Sequence, residues 1–210
     1  MRICILADDT LKAEFLQRVI PEGTEIIWAD TLKVFYSISD VNVYFDLLFS
    51  MDYDRVARLK KIQETPIFVN SVNYTLADIG GSFIRINAWP TMLQRDISEL
   101  SIQDSFQENS ISLLFEKLQW KYKIVPDMPG MITPRVIAMI INEAYFTLEQ
   151  NVSTKDEIDI AMKLGTNYPL GPFEWSRKIG LKNIYSLLHT LSLTQKRYMP
   201  SALLKEEAGG

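Results

Sequence analysis

The first half of the chain alternates short apolar runs with amphipathic stretches. Apolar runs such as RICIL, TEIIW, PIFVNSV and SFIRINAW are separated by stretches such as LKAEFLQRVI and YDRVARLKKI. In the second stretch Val56, Leu59 and Ile62 recur at helical spacing, and Pro66 precedes the next apolar run. Because strands that alternate with helical periods are typical of parallel sheets with crossover helices, this segment is predicted to form a βαβ unit.

Longer helical periods take over from about residue 105. In the segment PRVIAMIINEAYFTLEQ, apolar residues recur three and four positions apart. The residues of this stripe are Val136, Met139, Ile140, Ala144 and Leu148. The spacing predicts an amphipathic helix whose stripe faces a core.

A capping motif marks the start of the following helix. Thr154 and Glu157 have the spacing of a capping box, in which a hydroxyl and a carboxylate satisfy free amides of the first helical turn. Ile158 and Ala161 follow on one face, and Gly165 is predicted to end the helix. We therefore expect the C-terminal part of the chain to be all helical, with a hinge at residues 127–130.

The composition narrows the classes of function. The chain has 22 Lys and Arg against 26 Asp and Glu, a formal net charge of −4, and no long basic run, which argues against nucleic-acid binding. Its single cysteine, Cys4, lies in an apolar run and is predicted to be a small buried hydrophobe. Arg2 is followed by a short apolar run and then by Asp8 and Asp9, a pattern too short and too acidic for a signal peptide or a membrane span. We expect a soluble cytoplasmic protein that does not associate with membranes.

Acid–base and metal chemistry are limited by the single histidine. His189 is the only imidazole, and it lies in the helical run IYSLLHTLSL, where it is predicted to be a packed or surface residue without a catalytic role. A metal site of several His or Cys residues is excluded. A magnesium or calcium site made of carboxylates alone stays open, but the carboxylates do not have the spacing of a calcium loop, and we name no metal ligand.

Several motifs in the second half occur in a characteristic order. They are Asp127-Met128-Pro129-Gly130, Arg135, Asn142-Glu143-Ala144, Asp156 to Asp159, Ala161-Met162, Gly165, Pro169-Leu170-Gly171-Pro172-Phe173-Glu174 and Tyr198-Met199-Pro200-Ser201. In this order and spacing they resemble the C-terminal domain of the 3-hydroxyacyl-CoA dehydrogenases. The resemblance implies an α/β fold with a reduced Rossmann-like parallel sheet domain, residues 1–126, followed by an all-helical dimerisation domain, residues 127–210. It also implies a homodimer formed through the helical domain, which in the family helps to line an acyl-CoA pocket.

The resemblance implies an NAD-binding turn rich in glycine after the first strand, and this chain departs from it. The corresponding run, residues 7–12, is ADDTLK and contains no glycine. Two carboxylates would stand where the diphosphate of the cofactor lies, and the simpler interpretation is that Asp8 or Asp9 caps the first helix. Asp30 follows the second strand where the family holds the adenosine ribose, which makes it the one cofactor-binding candidate, although an Asp there is also an ordinary turn residue.

The catalytic strand of the family also matches only in part. Asn87, Pro90 and Met92 keep the spacing of its Asn-Pro-x-Pro-x-Met pattern. On this alignment the position of the catalytic His is Ile84, and that of the Glu that orients the His is Asp96. Isoleucine cannot accept a proton.

Two further positions of the family pattern are changed. Asn73 takes the place of a functional Ser and could donate a hydrogen bond to a thioester or hydroxyl oxygen. Pro134 replaces an Asn of the hinge helix and is predicted to be a first helical residue. Arg85, beside Ile84, is expected to point to the opposite face of the strand and to stay charged, which makes it a poor base.

Three hypotheses follow. The leading one is a catalytically silent member of the family that binds an acyl-CoA-like ligand at the domain junction or acts as an assembly protein. The second is an active NAD-dependent oxidoreductase of fatty-acid metabolism with an altered site, for which Asn73, Asn87 and Asp96 are the catalytic candidates. It requires a general base that the sequence does not supply. The third is a heterodimer with a full-length relative through the helical half.

Overall fold

The computed structural model describes residues 1–62 and 65–210, which form two compact units, Met1–Met131 and Ile132–Gly210. The domain boundary after residue 126 stays a prediction. In the structure Asp127 accepts hydrogen bonds from the backbone N–H of Leu76 and the guanidinium of Arg85. Residue 127 is therefore built into the first unit.

The first unit contains one sheet, which within its described residues has seven strands. They are β1 (Arg2–Leu6), β2 (Glu25–Ala29), β3 (Val43–Asp46), β4 (Ile67–Val69), β5 (Ile84–Ile86), β6 (Ile97–Ser101) and β7 (Lys121–Ile124), in the order β2-β1-β3-β4-β5-β6-β7. Strands β1 to β5 pair in parallel, β6 is antiparallel to β5, and β7 is parallel to β6. The predicted α/β fold with a mostly parallel sheet is confirmed.

Short helices connect these strands. They are α1 (Asp9–Phe15), α2 (Leu32–Ser37), α3 (Tyr53–Leu59), α4 (Leu76–Ile79) and α5 (Phe106–Leu118). Helix α3 crosses from β3 to the parallel neighbour β4, which confirms the predicted βαβ unit.

Both faces of the sheet are covered, as a parallel sheet requires. Successive residues of a strand point to opposite faces. Ile3 and Ile5 of β1 therefore pack in one apolar cluster with Phe45, whereas Cys4 and Leu6 pack in a second. The prediction of Cys4 as a buried hydrophobe is confirmed.

The second unit is helical throughout, as predicted. Its elements are α6 (Thr133–Glu149), α7 (Lys155–Thr166), α8 (Pro172–Ile179), α9 (Leu181–Ser192), a short 3₁₀ helix (Lys196–Tyr198) and α10 (Ala202–Glu207). Among the helices of residues 1–62 and 65–210, none combines the length and apolar character needed to cross a bilayer.

The predicted core stripe of α6 is confirmed only at Ala144, which is buried; Met139, Ile140 and Leu148 are half-buried. Ile137, Ile141 and Tyr145 are buried, whereas Val136 is 55% exposed. Apolar residues occupy both possible stripes of this helix, so their spacing gives the period but does not say which stripe faces the core.

The start of α7 is confirmed and its end is corrected. Thr154 Oγ1 accepts a hydrogen bond from the Glu157 N–H, and the Glu157 carboxylate accepts one from the Thr154 N–H, completing the capping box. Gly165 does not end the helix but lies inside it. Asn167 follows Thr166 with φ +54°, a left-handed conformation that Asn tolerates better than most residues with a side chain.

Candidate functional site

The carboxyl ends of the parallel strands form the candidate site. From β1 the chain leaves to β2 on one side and returns to β3 on the other, so the direction of winding reverses between β1 and β3. In open parallel sheets ligands bind at such a reversal, outside the carboxyl ends of the strands. The segments that follow β1, β2, β4 and β5 at this edge contain Asp8, Asp30, Asn73 and Asn87.

The turn after β1 is closed by its own carboxylate. Asp8 is the N-cap of α1, and its Oδ1 accepts a hydrogen bond of 2.9 Å from the Leu11 N–H. Asp9 is in the first helical turn. The expectation that Asp8 or Asp9 caps this helix is confirmed, with Asp8 in that role. A helix amide that could bind a diphosphate is therefore occupied, and two negative charges stand beside it.

The predicted ribose-binding carboxylate pairs with a lysine of α1. Lys12 Nζ donates a hydrogen bond of 2.6 Å to Asp30 Oδ1, and this bond raises the pKa of Lys12. The Lys12 ammonium also lies over the Trp28 ring, with Nζ 5.8 Å from the ring centroid. These residues do not fit the dinucleotide that the family fold implies, because the turn lacks glycine, carries two carboxylates and has Asp30 engaged.

The end of β3 contains a buried ion pair. Asp46 is fully buried and accepts two hydrogen bonds from the guanidinium of Arg55 in α3, one of them from Nε at 2.9 Å. Burial raises the pKa of Asp46 above its ordinary value, although Arg55 acts in the opposite direction. This carboxylate supports α3 against the sheet and is not available to a ligand.

Asn70 joins three strand ends. Its Nδ2 donates hydrogen bonds of 3.0 Å to the carbonyl oxygens of Leu47 and Ala88, and its Oδ1 accepts one of 3.0 Å from the Ala88 N–H. The segments after β3, β4 and β5 are therefore held together by one side chain. Sequence reasoning did not identify Asn70; its place directly after a buried strand was the available signal.

Arg85 fixes the loop that carries Asn73. Its guanidinium is completely buried, pairs with Asp127, and donates to the carbonyl oxygens of Ser71, at 2.7 Å, and Val72, at 3.1 Å. Ile84 packs in the apolar cluster of Ile3 and Phe45, on one face of the sheet, and Arg85 points to the opposite face, which confirms the prediction. Asn73 is half-buried in this loop.

Strand β5, which aligns with the catalytic strand of the family, contains no His, Asp or Glu. Ile84 opens β5 at its amino end and packs against the apolar core, while Ile86 and Asn87 stand at the carboxyl end. Asn87 is 5% exposed, and its Oδ1 has no hydrogen-bond partner in the described part of the chain. A ligand donor could bind this oxygen, since buried polar groups in folded proteins are nearly always hydrogen-bonded.

The loop after β5 is strained. Thr91 has φ +79°, which is unfavourable for a β-branched residue, and its N–H donates a hydrogen bond of 2.6 Å to the Glu14 carboxylate of α1. The structure thus shows a contact between α1 and this loop that the sequence did not suggest.

Asp96 lies on the same side of the sheet as the carboxyl end of β5, because β6 runs antiparallel to β5 and Asp96 directly precedes β6. It is exposed in the connection before β6, where its charge acts on Arg18. Burial lowers the pKa of Arg18 to about 10, and Asp96 opposes that shift. Arg18 also donates to the Leu93 carbonyl oxygen and the Ser98 hydroxyl, each at 2.9 Å. No ion pair joins Asp96 to Arg18 in the described residues, so its effect on Arg18 is a longer-range electrostatic one.

His189 lies in α9 of the second unit, is exposed, and stacks on Tyr185 with ring centroids 5.8 Å apart. Within residues 1–62 and 65–210 no group of three or more His, Cys, Asp or Glu side chains has the arrangement of a metal site.

The motifs of the second unit have structural roles. Asn142 donates to the Met199 carbonyl oxygen and accepts from the Ser201 N–H, both at 2.9 Å, so it ties the C-terminal segment to α6. Asp159 accepts a hydrogen bond of 2.7 Å from the Phe173 N–H in the first turn of α8. Pro134 is within the first turn of α6, as predicted.

Comparison with known proteins identifies a known domain in the second half of the chain. Residues 130–208 match the family model of the 3-hydroxyacyl-CoA dehydrogenase C-terminal domain. The 3-hydroxyadipyl-CoA dehydrogenase of Escherichia coli K12 is 43% identical over 86 residues, 40% of this chain and 18% of that protein. The 3-hydroxybutyryl-CoA dehydrogenase of Bradyrhizobium diazoefficiens is 38% identical over 97 residues, 44% of this chain and 33% of that protein. The chain therefore spans a third or less of the length of these relatives.

The fold is similar over nearly the whole chain. The crystal structure of (S)-3-hydroxybutyryl-CoA dehydrogenase from Ralstonia eutropha has a TM-score of 0.74 at 18% identity, with 99% of this chain and 93% of that chain covered. The structure of FadB2 from Mycobacterium tuberculosis has a TM-score of 0.76 at 15% identity, with 99% and 94% covered. At these identities the likeness concerns the fold alone.

Proposed function

The chain belongs to the 3-hydroxyacyl-CoA dehydrogenase family through residues 130–208, and from this premise we propose that it is a catalytically silent member of that family. It acts as a cytoplasmic dimeric protein that binds an acyl-CoA-like ligand without oxidising or reducing it. NAD is not its cofactor.

The observation that carries this proposal is the turn after β1. Asp8 caps α1 by accepting the Leu11 N–H, and Lys12 is paired with Asp30. A dinucleotide would have to displace the Asp8 carboxylate from the helix and place its diphosphate beside Asp9. Both changes oppose binding, since a helix N-terminus attracts one anion and repulsion between like charges is strong at close range.

The strand that carries the base in the family gives independent support. Neither Ile84 nor Ile86 can accept a proton, and removal of a positioned general base costs roughly a hundred- to ten-thousand-fold in rate. Asp96 is exposed, and its charge acts on Arg18. The alternative of an active dehydrogenase would therefore require a base from outside this strand.

Ligand binding without turnover is supported by Asn87. Its buried Oδ1 lacks a partner in the described residues, so a hydroxyl or amide of a ligand would complete its hydrogen bonding. Asn73 is half-buried in the segment after β4, at the same edge of the sheet.

Dimerisation is supported by the surface of the second unit. Ile132, Val136, Ile160, Leu164 and Leu193 are large apolar side chains that are each at least half exposed. A second copy of the chain is the partner we propose for this surface, since apolar side chains are favoured in homodimer interfaces. Sedimentation equilibrium at micromolar concentration should give a dimer, and a monomer would contradict this part of the proposal.

The test of the silent function is an assay of acetoacetyl-CoA reduction with NADH on the purified chain, together with thermal unfolding in the presence of acetyl-CoA. We expect no turnover and a concentration-dependent rise in Tm with acetyl-CoA, because a ligand that binds only the folded state raises its stability. Turnover would establish the active alternative. If there is neither turnover nor a rise in Tm with acetyl-CoA, ligand binding is refuted. Assembly with a partner chain, as in a heterodimer, would then be the remaining hypothesis.

A further inference from the structure

A cleft of about 570 Å³ opens at the amino edge of the sheet, where β4 and β5 begin. It is therefore at the edge opposite to Asp8 and Asn87 and is separate from the candidate site. Its walls come from the end of α3, the starts of β4 and β5, and α5. The residues used below are Leu59, Lys60, Ile67, Phe83, Gln107 and Ser110.

The floor of the cleft is apolar. Leu59, Ile67 and Phe83 are at most 4% exposed and belong to one apolar cluster of the sheet. The volume is in the range of small-molecule sites, which are concave and mostly apolar with a few polar groups that orient the ligand.

Lys60 supplies a positive charge at the wall. It caps the C-terminus of α3, and its stem passes directly over Gly81, where an added methyl group would lie 3.0 Å from Lys60 Cε. Gly81 has φ +113°, so both the backbone and the close approach favour glycine there. In the described residues the Lys60 ammonium has no hydrogen bond and no ion pair.

The rim adds neutral polar groups. Gln107 Nε2 donates a hydrogen bond of 3.2 Å to the Ser82 carbonyl oxygen, and the exposed Ser110 of α5 stands on the same side. Among the described residues that line the cleft there is no carboxylate. The lining therefore combines an apolar floor, one free ammonium and several neutral polar groups.

We propose that this cleft is a second binding site, which takes an organic carboxylate with a short apolar chain. The carboxylate pairs with Lys60, and the chain lies on Ile67 and Phe83. Lys60 is exposed, so its ammonium is hydrated in the free protein. A neutral ligand would gain no ion pair with it, and a phosphate without an apolar part would leave the floor uncovered. The site does not depend on whether the other edge of the sheet turns over a cofactor.

Octanoate is a suitable probe, followed by amide chemical shifts of the full chain. We expect saturable shifts at Ile67 and Phe83. Lys60→Gln should weaken binding by about fivefold, the upper range of a partly exposed ion pair. The matched control Lys33→Gln removes the same charge from α2, outside the cleft, and should leave the affinity unchanged.

A second variant tests the location without changing the charge. Ser110→Phe places a ring over the cleft from an exposed helix position and should abolish the shifts while the fold is kept. The proposal is overturned if octanoate gives no saturable shifts at Ile67 and Phe83, if Lys60→Gln and Lys33→Gln behave alike, or if 1-octanol binds as tightly as octanoate.

Discussion

Gly171 is required in the second unit because of its neighbour, and replacing it by alanine tests the packing at the start of α8. A methyl group at Gly171 would stand 2.2 Å from Asp159 Oδ1 and 2.4 Å from its Cβ and Cγ. The φ of Gly171 is −73°, so alanine is compatible with the backbone and the cost is purely steric. Asp159 cannot easily move, since it is buried and holds the Phe173 N–H.

The expected cost has two sources. If Asp159 turns away, α8 loses its cap from this side chain, which is worth about 1 kcal/mol. If the backbone shifts instead, the overpacking costs about 1–3 kcal/mol. Whichever response is cheaper sets the cost, so we expect Gly171→Ala to lower the free energy of unfolding by about 1–3 kcal/mol. Gly165→Ala is the matched control. Gly165 lies inside α7 with open space around it, so alanine should stabilise by about 0.5–1 kcal/mol.

Urea unfolding followed by circular dichroism measures both changes, and a double-mutant cycle identifies the cause. In an Asp159→Gly background the clashing atoms Oδ1, Cγ and Cβ are all absent, so Gly171→Ala should then cost close to nothing. A coupling free energy of about 2 kcal/mol is expected between the two positions. Equal costs of Gly171→Ala in both backgrounds would refute the steric explanation.

Three further predictions concern other buried or paired groups. Arg85→Met leaves Asp127 without its buried partner and should lower the free energy of unfolding by about 3 kcal/mol in urea titrations; a change below 1 kcal/mol would show that the pair does not hold the loop. Burial raises the pKa of Cys4 to about 12, so at pH 8 a thiol reagent should label the unfolded but not the native chain, and rapid native labelling would contradict this. The hydrogen bond from Lys163 lowers the pKa of Glu174, so this pair stabilises the folded state above the ordinary pKa of Glu, and the stabilisation is lost as the pH falls below about 4. Glu174→Gln should flatten the fall of the unfolding free energy at acid pH. An unchanged pH profile in this variant would exclude the effect.

The fold could be predicted where local chemistry decides it. Asp8 caps α1, and Thr154 and Glu157 form their capping box, because each is satisfied by amides within the same turn. Periodicity was less informative for α6, where both stripes are apolar and only packing selects the one with Ile137. Gly165 looked like a helix end, but Asn167 takes the left-handed position instead.

The missing cofactor-binding glycines and catalytic histidine of the candidate site could be predicted from the sequence, whereas the side-chain contacts within the site could not. The missing glycines and the absence of histidine from the catalytic strand are properties of the sequence itself. The roles of Arg85 and Asn70 depend on partners far along the chain, such as Asp127 for Arg85, and no local pattern specifies them. A charged residue in the middle of an apolar strand was nevertheless a signal that Arg85 has a buried partner.

The central claim is that the turn after β1 rejects a dinucleotide, and the most direct measurement is a titration of the purified chain with NADH. Nicotinamide fluorescence, with an NAD-binding relative of the family as a positive control, reports binding without requiring turnover. The account predicts no saturable change up to millimolar NADH, because Asp8 occupies the helix amide and Asp9 stands beside it. Saturable binding at micromolar NADH would contradict it.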